Sequence, residues 1–321
     1  MGTAELSCVS LKALAHDKQF QIAAVVTQPD RPKGRDLKEQ ASPVKTLAWQ
    51  LGLPVFQPVS VRDVRFIAGV CALQPDLIVV AAYGQILPPD LLDLPRYGCL
   101  NVHTSLLPKY RGAAPIQWAI ANGDTVTGVT IMKMDVGLDT GPIVSQRYAP
   151  IQLTDDAATL HDRLAQLGAE LLVQTIPDYV TGNIEPRPQP ADGVSHAPKI
   201  KKEHGRIDWT LPAETIRNRL RAFLPWPGAF TFLPEPPTEG QLSAPAAGPA
   251  SKSHLLKIWR AETVEDAGEA GTILSLEKNN IIIACGQDAL KILELQPEGG
   301  RRMNAMEFLA GHTLKVGERF A

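Results

Sequence analysis

The sequence predicts a mostly parallel α/β domain followed by a second, smaller domain built as a β-barrel. In the first half, short apolar runs alternate with amphipathic helical patterns. These apolar runs do not alternate between polar and apolar residues, which is typical of strands buried on both faces of a parallel sheet. After residue 205, short strand-like runs follow one another at turn-sized intervals, as in a small barrel.

The elements of the first half follow in chain order. Strands are predicted over 22–30, 75–84, 98–105, 127–135 and 142–151, and helices over 43–54, 61–74, 111–124 and 154–176. Ser42 before Pro43 predicts an N-cap and a first helical residue, and Thr154 is the expected N-cap of the last helix. We therefore place the first domain at residues 1–182.

The second half begins with a change of texture. Residues 183–205 combine proline, glycine and charge without an apolar period, which predicts a linker. Strands of the second domain, residues 206–321, are predicted over 228–233, 255–263, 271–278, 279–286 and 289–297. The Pro-, Ala- and Gly-rich stretch 233–254 is expected to be a disordered loop.

Composition excludes several classes of protein. The formal charge of −2 and the pI of about 6.4 give no overall positive field, so any nucleic-acid surface has to be local. Four cysteines stand at unrelated spacings, which fits neither a disulfide framework nor a zinc site and predicts a reduced, cytoplasmic location. We expect no membrane span and no secretory signal.

The candidate site begins in the stretch LNVHTSLLPKYRG. Asn101, His103 and Ser105 occupy alternate positions, so in a strand all three side chains face the same way. Burying such a row without partners costs roughly 1–3 kcal/mol per group. The row therefore needs hydrogen-bonding loops around it or a wet cleft, and from these residues alone both interpretations stand.

Asp139 favours the interpretation that the polar row lines a solvent-filled cleft. It lies in the glycine-flanked loop MDVGLDTGP between two predicted strands, where an aspartate alone is a common turn residue. Together with an amide and an imidazole at a strand end, a carboxylate can orient the imidazole and move protons while the other two groups hold an oxyanion. No serine or cysteine sits in a nucleophile-elbow pattern, so direct acyl or formyl transfer to an amine fits best.

These motifs resemble a known family. LNVHTSLLPKYRGAAPIQWAI followed by GVTIMKMDVGLDTGPI closely resembles the formyltransferases that use 10-formyltetrahydrofolate. VVTQPDRPKGRDLK, VAAYGQILP and RIDWTLPAETIRNRLRAFLPWPGAF resemble the branch of that family that formylates methionyl-tRNA. The resemblance covers nearly the whole chain and implies a Rossmann-like first domain and an OB-like second domain.

The resemblance also implies roles. Asn101 and His103 would polarise the formyl carbonyl and hold the oxyanion, and Asp139 would pair with His103 and assist proton transfer from the methionyl α-amine. The formyl donor would be 10-formyltetrahydrofolate, with no metal. The residues expected to line its site are Ser105, Leu106, Leu107 and Pro108, with Tyr83, Gly84, Ile86 and Leu87 at the pterin end.

Binding of initiator methionyl-tRNA would rest on local basic residues. Residues 199–221 hold seven basic and three acidic side chains. The expected phosphate contacts are Arg31, Lys33 and Arg35 in the loop after the first strand, and Lys199, Lys201 and Lys202 in the linker. Solvated surface charge is the alternative for both groups. The loop departs from the family pattern after Arg35, where it reads Asp36-Leu37-Lys38-Glu39. We expect a monomer.

The sequence opens directly on MGTAEL, whereas the family opens with a short apolar strand before a similar loop. We therefore expect the first, central strand of the sheet to be missing, which would expose its neighbours.

Three rival functions remain at this point. One is a 10-formyltetrahydrofolate-dependent transferase or hydrolase with a small substrate, and another is a non-catalytic RNA-binding relative. The third, a dinucleotide-dependent oxidoreductase, lacks the required G-x-G-x-x-G after a strand.

Overall fold

The computed structural model describes residues 1–33, 38–233, 254–277 and 280–320. The chain forms two compact units. The first comprises residues 1–116, 125–153 and 159–199, and the second comprises residues 117–124, 154–158 and 200–321. Residues 183–199, which the sequence assigned to a linker, thus group with the first unit. Arg35 and most of the predicted loop 233–254 lie outside the described residues.

The first unit contains ten strands among the described residues: β1 (Val25–Val26), β2 (Arg31–Lys33), β3 (Lys38–Gln40), β4 (Val55–Phe56), β5 (Ile78–Val80), β6 (Cys99–His103), β7 (Arg111–Gly112), β8 (Val126–Lys133), β9 (Ile143–Pro150) and β10 (His196–Ala197). Its main sheet has the strand order β5-β6-β8-β9. β5 and β6 are parallel, whereas β8 and β9 join antiparallel at one edge, and the separate pair β1–β4 is also parallel. The α/β prediction is confirmed.

Helices alternate with these strands along the chain: α1 (Glu5–His16), α2 (Pro43–Gln50), α3 (Val64–Ala72), α4 (Pro89–Leu92), α5 (Pro115–Ala121) and α6 (Ala157–Val180). The predicted cap of α2 is confirmed, because the Ser42 hydroxyl accepts the Lys45 N–H at 3.0 Å. The predicted cap of α6 is wrong. This helix begins at Ala157, and the carboxylate of Asp156 accepts the N–H of Ala158 at 2.9 Å, so the residue just before the helix takes the role expected of Thr154.

Residues Met1 to Thr3 run between β1 and β5. The Gly2 N–H donates to the Val26 carbonyl at 2.9 Å, and the Ala81 N–H donates to the Met1 carbonyl at 3.0 Å. The Met1 amine donates to the Val79 carbonyl at 2.6 Å, and burial lowers the pKa of that amine to about 6. These residues make the hydrogen bonds that join the β1–β4 pair to β5, at the position where the sequence predicted a missing strand.

Helix α6 packs directly against the strands that carry the site. A methyl group on Gly168 would lie 2.8 Å from Val102 of β6 and 3.3 Å from Val129 of β8. Leu160, Leu164 and Leu172 of the same helix are fully buried. Close packing of this kind resists movement of β6, because interiors tolerate few voids and little overlap.

All five strands predicted for the second unit are present: β11 (Ala229–Phe232), β12 (Leu255–Val264), β13 (Ile273–Ser275), β14 (Ile281–Ala284) and β15 (Ala289–Pro297), followed by β16 (Met303–Asn304). They form an antiparallel, curled sheet with the strand order β11-β12-β15-β14-β13, and β16 pairs with β15. This confirms the OB-like prediction. Two helices, α7 (Ala213–Ala222) and α8 (Ala305–Leu309), belong to this unit, and its core includes Ile216, Leu256 and Phe308. In the parts of the chain that the structure describes, no helix is long and apolar enough to cross a membrane.

The four cysteines differ sharply in accessibility, which gives a direct test of the fold. Cys71 is exposed and Cys8 is partly exposed, whereas Cys99 and Cys285 are buried, and burial raises the pKa of each of these two thiols to about 12. Because the thiolate is the reactive form, we expect Ellman's reagent to modify Cys71 first and Cys8 more slowly in the native chain. Cys99 and Cys285 should react only after unfolding. Loss of the fast phase in Cys71→Ser would assign it, and rapid reaction of four thiols would contradict the fold.

Candidate active site

Two of the predicted residues lie at the end of β6, on the same face of the strand. Asn101 Nδ2 is 3.5 Å from Asp139 Oδ1, and His103 Nδ1 is 3.7 Å from Asp139 Oδ2. The His103 side chain is 6% exposed and that of Asp139 is 14% exposed. The structure therefore brings Asn101, His103 and Asp139 together in a largely buried cluster that remains open to solvent at the carboxylate.

The hydrogen bond of His103 Nε2 indicates which ring nitrogen carries the proton. His103 Nε2 lies 3.0 Å from the backbone carbonyl of Tyr110. A carbonyl oxygen only accepts, so Nε2 carries the proton. Nδ1 is then the nitrogen that faces Asp139 and can take up or release a proton beside the carboxylate.

Asp139 is fixed by its backbone as well as by its neighbours. Its φ of 55° lies in the left-handed region, which aspartate tolerates better than most residues. Its Oδ2 accepts the N–H of Gly112 in β7 at 2.8 Å. A hydrogen bond of this type, to an ionised acceptor, is worth about 1.5–3 kcal/mol, and here it also sets the direction of the carboxylate.

Ser105 does not join this row as the sequence predicted. β6 ends at His103, and Ser105 lies fully buried in the turn that follows. Its hydroxyl donates to the Lys109 carbonyl at 2.6 Å, and its own carbonyl accepts the Thr130 hydroxyl at 2.7 Å. The predicted strand runs to Ser105, whereas the observed strand ends two residues earlier, at His103. Ser105 therefore does not share the face of Asn101 and His103.

The predicted folate turn, residues 105–108, is anchored on β8 and β9. The Leu107 N–H donates to the Thr130 hydroxyl at 3.1 Å, and the Gln146 side chain donates to the Leu107 carbonyl at 2.9 Å. Leu107 is buried, whereas Leu106 and Pro108 are half-buried. The peptide bond between Leu107 and Pro108 is cis. The hydrogen bonds to Thr130 and Gln146 join the turn to β8 and β9.

In the loop 83–87, the side chains take two different roles. Tyr83 and Leu87 are buried in an apolar cluster with β5, and burial raises the pKa of Tyr83 to about 12. Ile86, in contrast, is 64% exposed. Gly84, with a φ of 86°, packs against the Gln28 amide, which also donates to the Tyr83 carbonyl at 3.0 Å. Ile86 thus presents its side chain at the surface of the loop, whereas those of Tyr83 and Leu87 are buried, and the folate contacts of Tyr83, Gly84, Ile86 and Leu87 stay predictions.

Sequence reasoning missed the segment that braces the site. β10 pairs in parallel with β7, and the Tyr110 N–H donates to the Ser195 hydroxyl at 2.9 Å. Gln189 contacts both the Asp139 loop and Arg111. Only the Pro-Gln-Pro sequence at 188–190 indicated an ordered segment, since proline restricts the backbone on both sides of the glutamine.

The predicted basic residues are distributed over both units. Arg31 donates to the Gln28 side chain at 2.6 Å, and β2 ends at Lys33. Lys199 is exposed in the first unit. Lys201 and Lys202 are exposed in the second unit, at a 3₁₀ turn (Lys202–Gly205), and Lys201 lies 3.8 Å from Glu203. Exposed ion pairs of this length contribute little to stability.

Comparison with known proteins identifies the family. Residues 2–176 match the Formyl transferase family, and residues 199–313 match the Formyl transferase, C-terminal domain family. The chain belongs to the formyl transferase family. This formyl transferase is 50% identical over 317 residues to a methionyl-tRNA formyltransferase of Trichlorobacter lovleyi, covering 99% of this chain and 94% of the relative.

A second relative agrees with this assignment, and a solved structure shares the fold. A methionyl-tRNA formyltransferase of Myxococcus xanthus is 47% identical over 319 residues, covering 99% of this chain and 96% of the relative. The formyl transferase fold is also that of an N-formyltransferase from Helicobacter canadensis solved with folinic acid and dTDP-3-aminofucose. That match has a TM-score of 0.61 at 19% identity and covers 91% of this chain and 97% of the solved one.

The side chains of this formyl transferase fit a formyl donor of the folate type. The cluster offers an amide donor, an imidazole and a carboxylate, which suit a carbonyl that gains negative charge. The exposed apolar side chains Val136 and Leu138, in the loop that carries Asp139, offer a surface suited to an aromatic ring. Within the described ranges, no group of three or more His, Cys, Asp or Glu side chains is arranged to hold a metal ion.

Proposed function

We propose that this chain transfers the formyl group of 10-formyltetrahydrofolate to the α-amine of methionyl-initiator tRNA. The observation that carries the proposal is that Asp139, which is distant in sequence, meets Asn101 and His103 at the end of one strand in a chain about half identical to methionyl-tRNA formyltransferases. Those relatives match nearly the full length, including the second unit.

In this proposal, Asn101 and His103 hold the oxygen of the formyl group. The 3.5 Å separation between Asn101 Nδ2 and Asp139 is at the outer limit of a hydrogen bond. The amide therefore loses little by donating to a substrate oxygen instead. His103 donates from Nδ1 once that nitrogen is protonated, and two aimed donors stabilise negative charge better than water does.

Asp139 serves proton transfer. The attacking α-amine has to lose a proton as its new C–N bond forms and the formyl C–N bond to tetrahydrofolate breaks. A carboxylate held beside an imidazole can receive that proton and pass it to the leaving nitrogen. The Gly112 N–H keeps the carboxylate in place before the substrate arrives, with the imidazole 3.7 Å away. 10-Formyltetrahydrofolate supplies an activated formyl group when bound, and the turn 105–108 with Ile86 would hold it.

The tRNA contacts proposed are electrostatic. Arg31, Lys33, Arg35, Lys199, Lys201 and Lys202 would neutralise backbone phosphates, a contribution that does not depend on sequence and weakens with salt. Such contacts position the acceptor end, and discrimination between tRNAs has to come from elsewhere in the interface.

The test is formyl transfer from 10-formyltetrahydrofolate to methionyl-initiator tRNA, measured beside methionyl-elongator tRNA and beside a reaction with no acceptor. We expect rapid transfer to the initiator tRNA, little transfer to the elongator tRNA and no release of formate without an acceptor. Equal transfer to both tRNAs would contradict the proposed specificity. Release of formate without an acceptor, at the rate of the complete reaction, would instead indicate a hydrolase.

A further inference from the structure

We propose that Gln189 is a positioning residue for the reaction, which acts by holding the backbone of the loop that carries Asp139. The proposal rests on the proposed function, in that it takes Asp139 as the proton acceptor. Gln189 lies in a segment far from the site in sequence, and it touches neither Asn101 nor His103 by any hydrogen bond that the structure shows among the described residues.

The Gln189 side chain uses its full hydrogen-bonding capacity. Its Nε2 donates to the carbonyls of Asp139 at 2.7 Å and Gly141 at 2.8 Å. Its Oε1 accepts from Arg111 Nε at 3.0 Å and from Arg111 Nη2 at 2.7 Å. A primary amide has two donor hydrogens and two acceptor lone pairs, and all four are used. The reverse orientation of the amide would place donors against the guanidinium and an acceptor against two carbonyls.

These contacts join the two parts that orient the carboxylate. Arg111 precedes Gly112, whose N–H donates to Asp139 Oδ2. Gln189 therefore connects the strand that supplies the donor to the backbone of the residue that supplies the acceptor. If it is removed, the carboxylate can move relative to Gly112 and His103 without any change in the chemical groups present.

Asp139 needs such support because of its loop. Its backbone lies in the left-handed region, and the neighbouring side chains Val136 and Leu138 are 70% and 58% exposed. Uncommon backbone conformations persist at sites where the surrounding structure determines them. Here the two carbonyl contacts from Gln189 hold the second half of the loop, at Asp139 and Gly141.

The segment that carries Gln189 is itself fixed at both ends. Arg187 exchanges two backbone hydrogen bonds with Ile143 of β9, at 2.7 and 2.8 Å. Further along, β10 pairs with β7, and Ala197 accepts the Ala113 N–H at 2.9 Å. Pro188 and Pro190 flank the glutamine, so its backbone has little freedom. The amide is thus held in place before substrate binds.

The test is Gln189→Glu, which keeps the acceptor for Arg111 but replaces the donor by a carboxylate facing two carbonyls. We expect kcat to fall by about 10- to 30-fold while KM for both substrates stays within about 3-fold, because a small displacement of an aligned group costs rate more than binding. The matched control is Gln174→Glu in α6, where the glutamine likewise accepts from an arginine, Arg147, but lies away from the loop. Its kcat should equal that of the unchanged chain. A kcat for Gln189→Glu equal to that of Gln174→Glu would overturn the proposal.

A second measurement separates positioning from general stability. If Gln189 acts through Asp139, then Gln189→Glu should cause no further loss of kcat in an Asp139→Asn background. Additive losses in the double variant would overturn the proposal. If Gln189→Glu folds poorly, Gln189→Met takes its place in the test. It removes all four hydrogen bonds without adding charge, and we expect the same fall in kcat, by about 10- to 30-fold.

Amide hydrogen exchange, measured on the chain without substrate, tests the positioning role of Gln189 independently of activity. In Gln189→Glu, the Gly112 amide should exchange at least about 10-fold faster, because its acceptor carboxylate is no longer held, while the Ile131 amide in β8 stays unchanged. An unchanged exchange rate of the Gly112 amide would overturn the proposal that Gln189 holds the carboxylate of Asp139 in place. Full activity of Asp139→Asn would overturn the role of Asp139 as proton acceptor, whereas the exchange result would still test the contacts of Gln189, because amide exchange does not depend on catalysis.

Discussion

Asp139→Asn is expected to lower kcat for formyl transfer by about 100- to 10,000-fold, the range over which a positioned acid or base contributes. The replacement has the same shape but cannot receive the proton of the attacking amine. The amide oxygen of the new side chain can still accept the Gly112 N–H, so the loop should keep its position. KM for 10-formyltetrahydrofolate and for methionyl-tRNA should therefore stay within about 3-fold.

The control for this prediction is Asp162→Asn. Asp162 is 84% exposed and lies in α6, where it contacts only His161 among the partners that the structure shows in the described residues. Its kcat should not change. Steady-state kinetics with purified methionyl-initiator tRNA measure both variants. A kcat for Asp139→Asn close to that of Asp162→Asn would move the role of proton acceptor to a different group, and the cluster would then serve binding alone.

The alternating residues of β6 show how much of the site the sequence determines. Asn101 and His103 were predictable because a strand places alternate side chains on one face, and a polar pair on an apolar strand needs an explanation. Asp139 was predictable only as a candidate, because its loop could pair with the strand end but nothing local required it to. The placement of Ser105 in the same row was wrong, since periodicity does not show where a strand ends, while its contact with the folate stays a prediction.

The ordered structure of residues 183–199 could not be predicted, for a different reason. This segment is held by backbone hydrogen bonds and by the side chain of Gln189, and such contacts leave no apolar period in the sequence. A proline-rich stretch with several charges therefore predicts a linker, although Arg187 and Ser195 both bond to the first unit. The strands of the second unit were predictable, because their apolar runs and turns are local signals.

The N-cap of α6 shows the same limit on a smaller scale. Thr154, Asp155 and Asp156 precede this helix, and each is an acceptable capping residue. The structure uses Asp156, while Asp155 is 5% exposed. Propensity alone does not distinguish three neighbouring candidates, because the choice depends on which of them is already committed to tertiary contacts.

Gly112→Ala is expected to lower both the stability and the activity of the chain, although Gly112 contributes no side chain to the site. Gly112 has a φ of 123°, and a methyl group there would lie 2.7 Å from the Ala197 carbonyl oxygen. Both the backbone conformation and the close approach to β10 require glycine. We expect a loss of at least about 2 kcal/mol in the free energy of unfolding, together with a fall in kcat of about 100-fold, since relief of the clash would displace the N–H that orients Asp139.

The matched control is Gly69→Ala in α3, where no described heavy atom lies within 4 Å of the added methyl group. Alanine favours the helical backbone over glycine by up to about 1 kcal/mol, so this variant should be as stable as the unchanged chain or more so, with unchanged kcat. Urea unfolding and steady-state kinetics measure both variants. Gly112→Ala could instead match Gly69→Ala in both the free energy of unfolding and kcat. In that case β7 and β10 can separate without disturbing Asp139, and the Gly112 N–H does not orient its carboxylate.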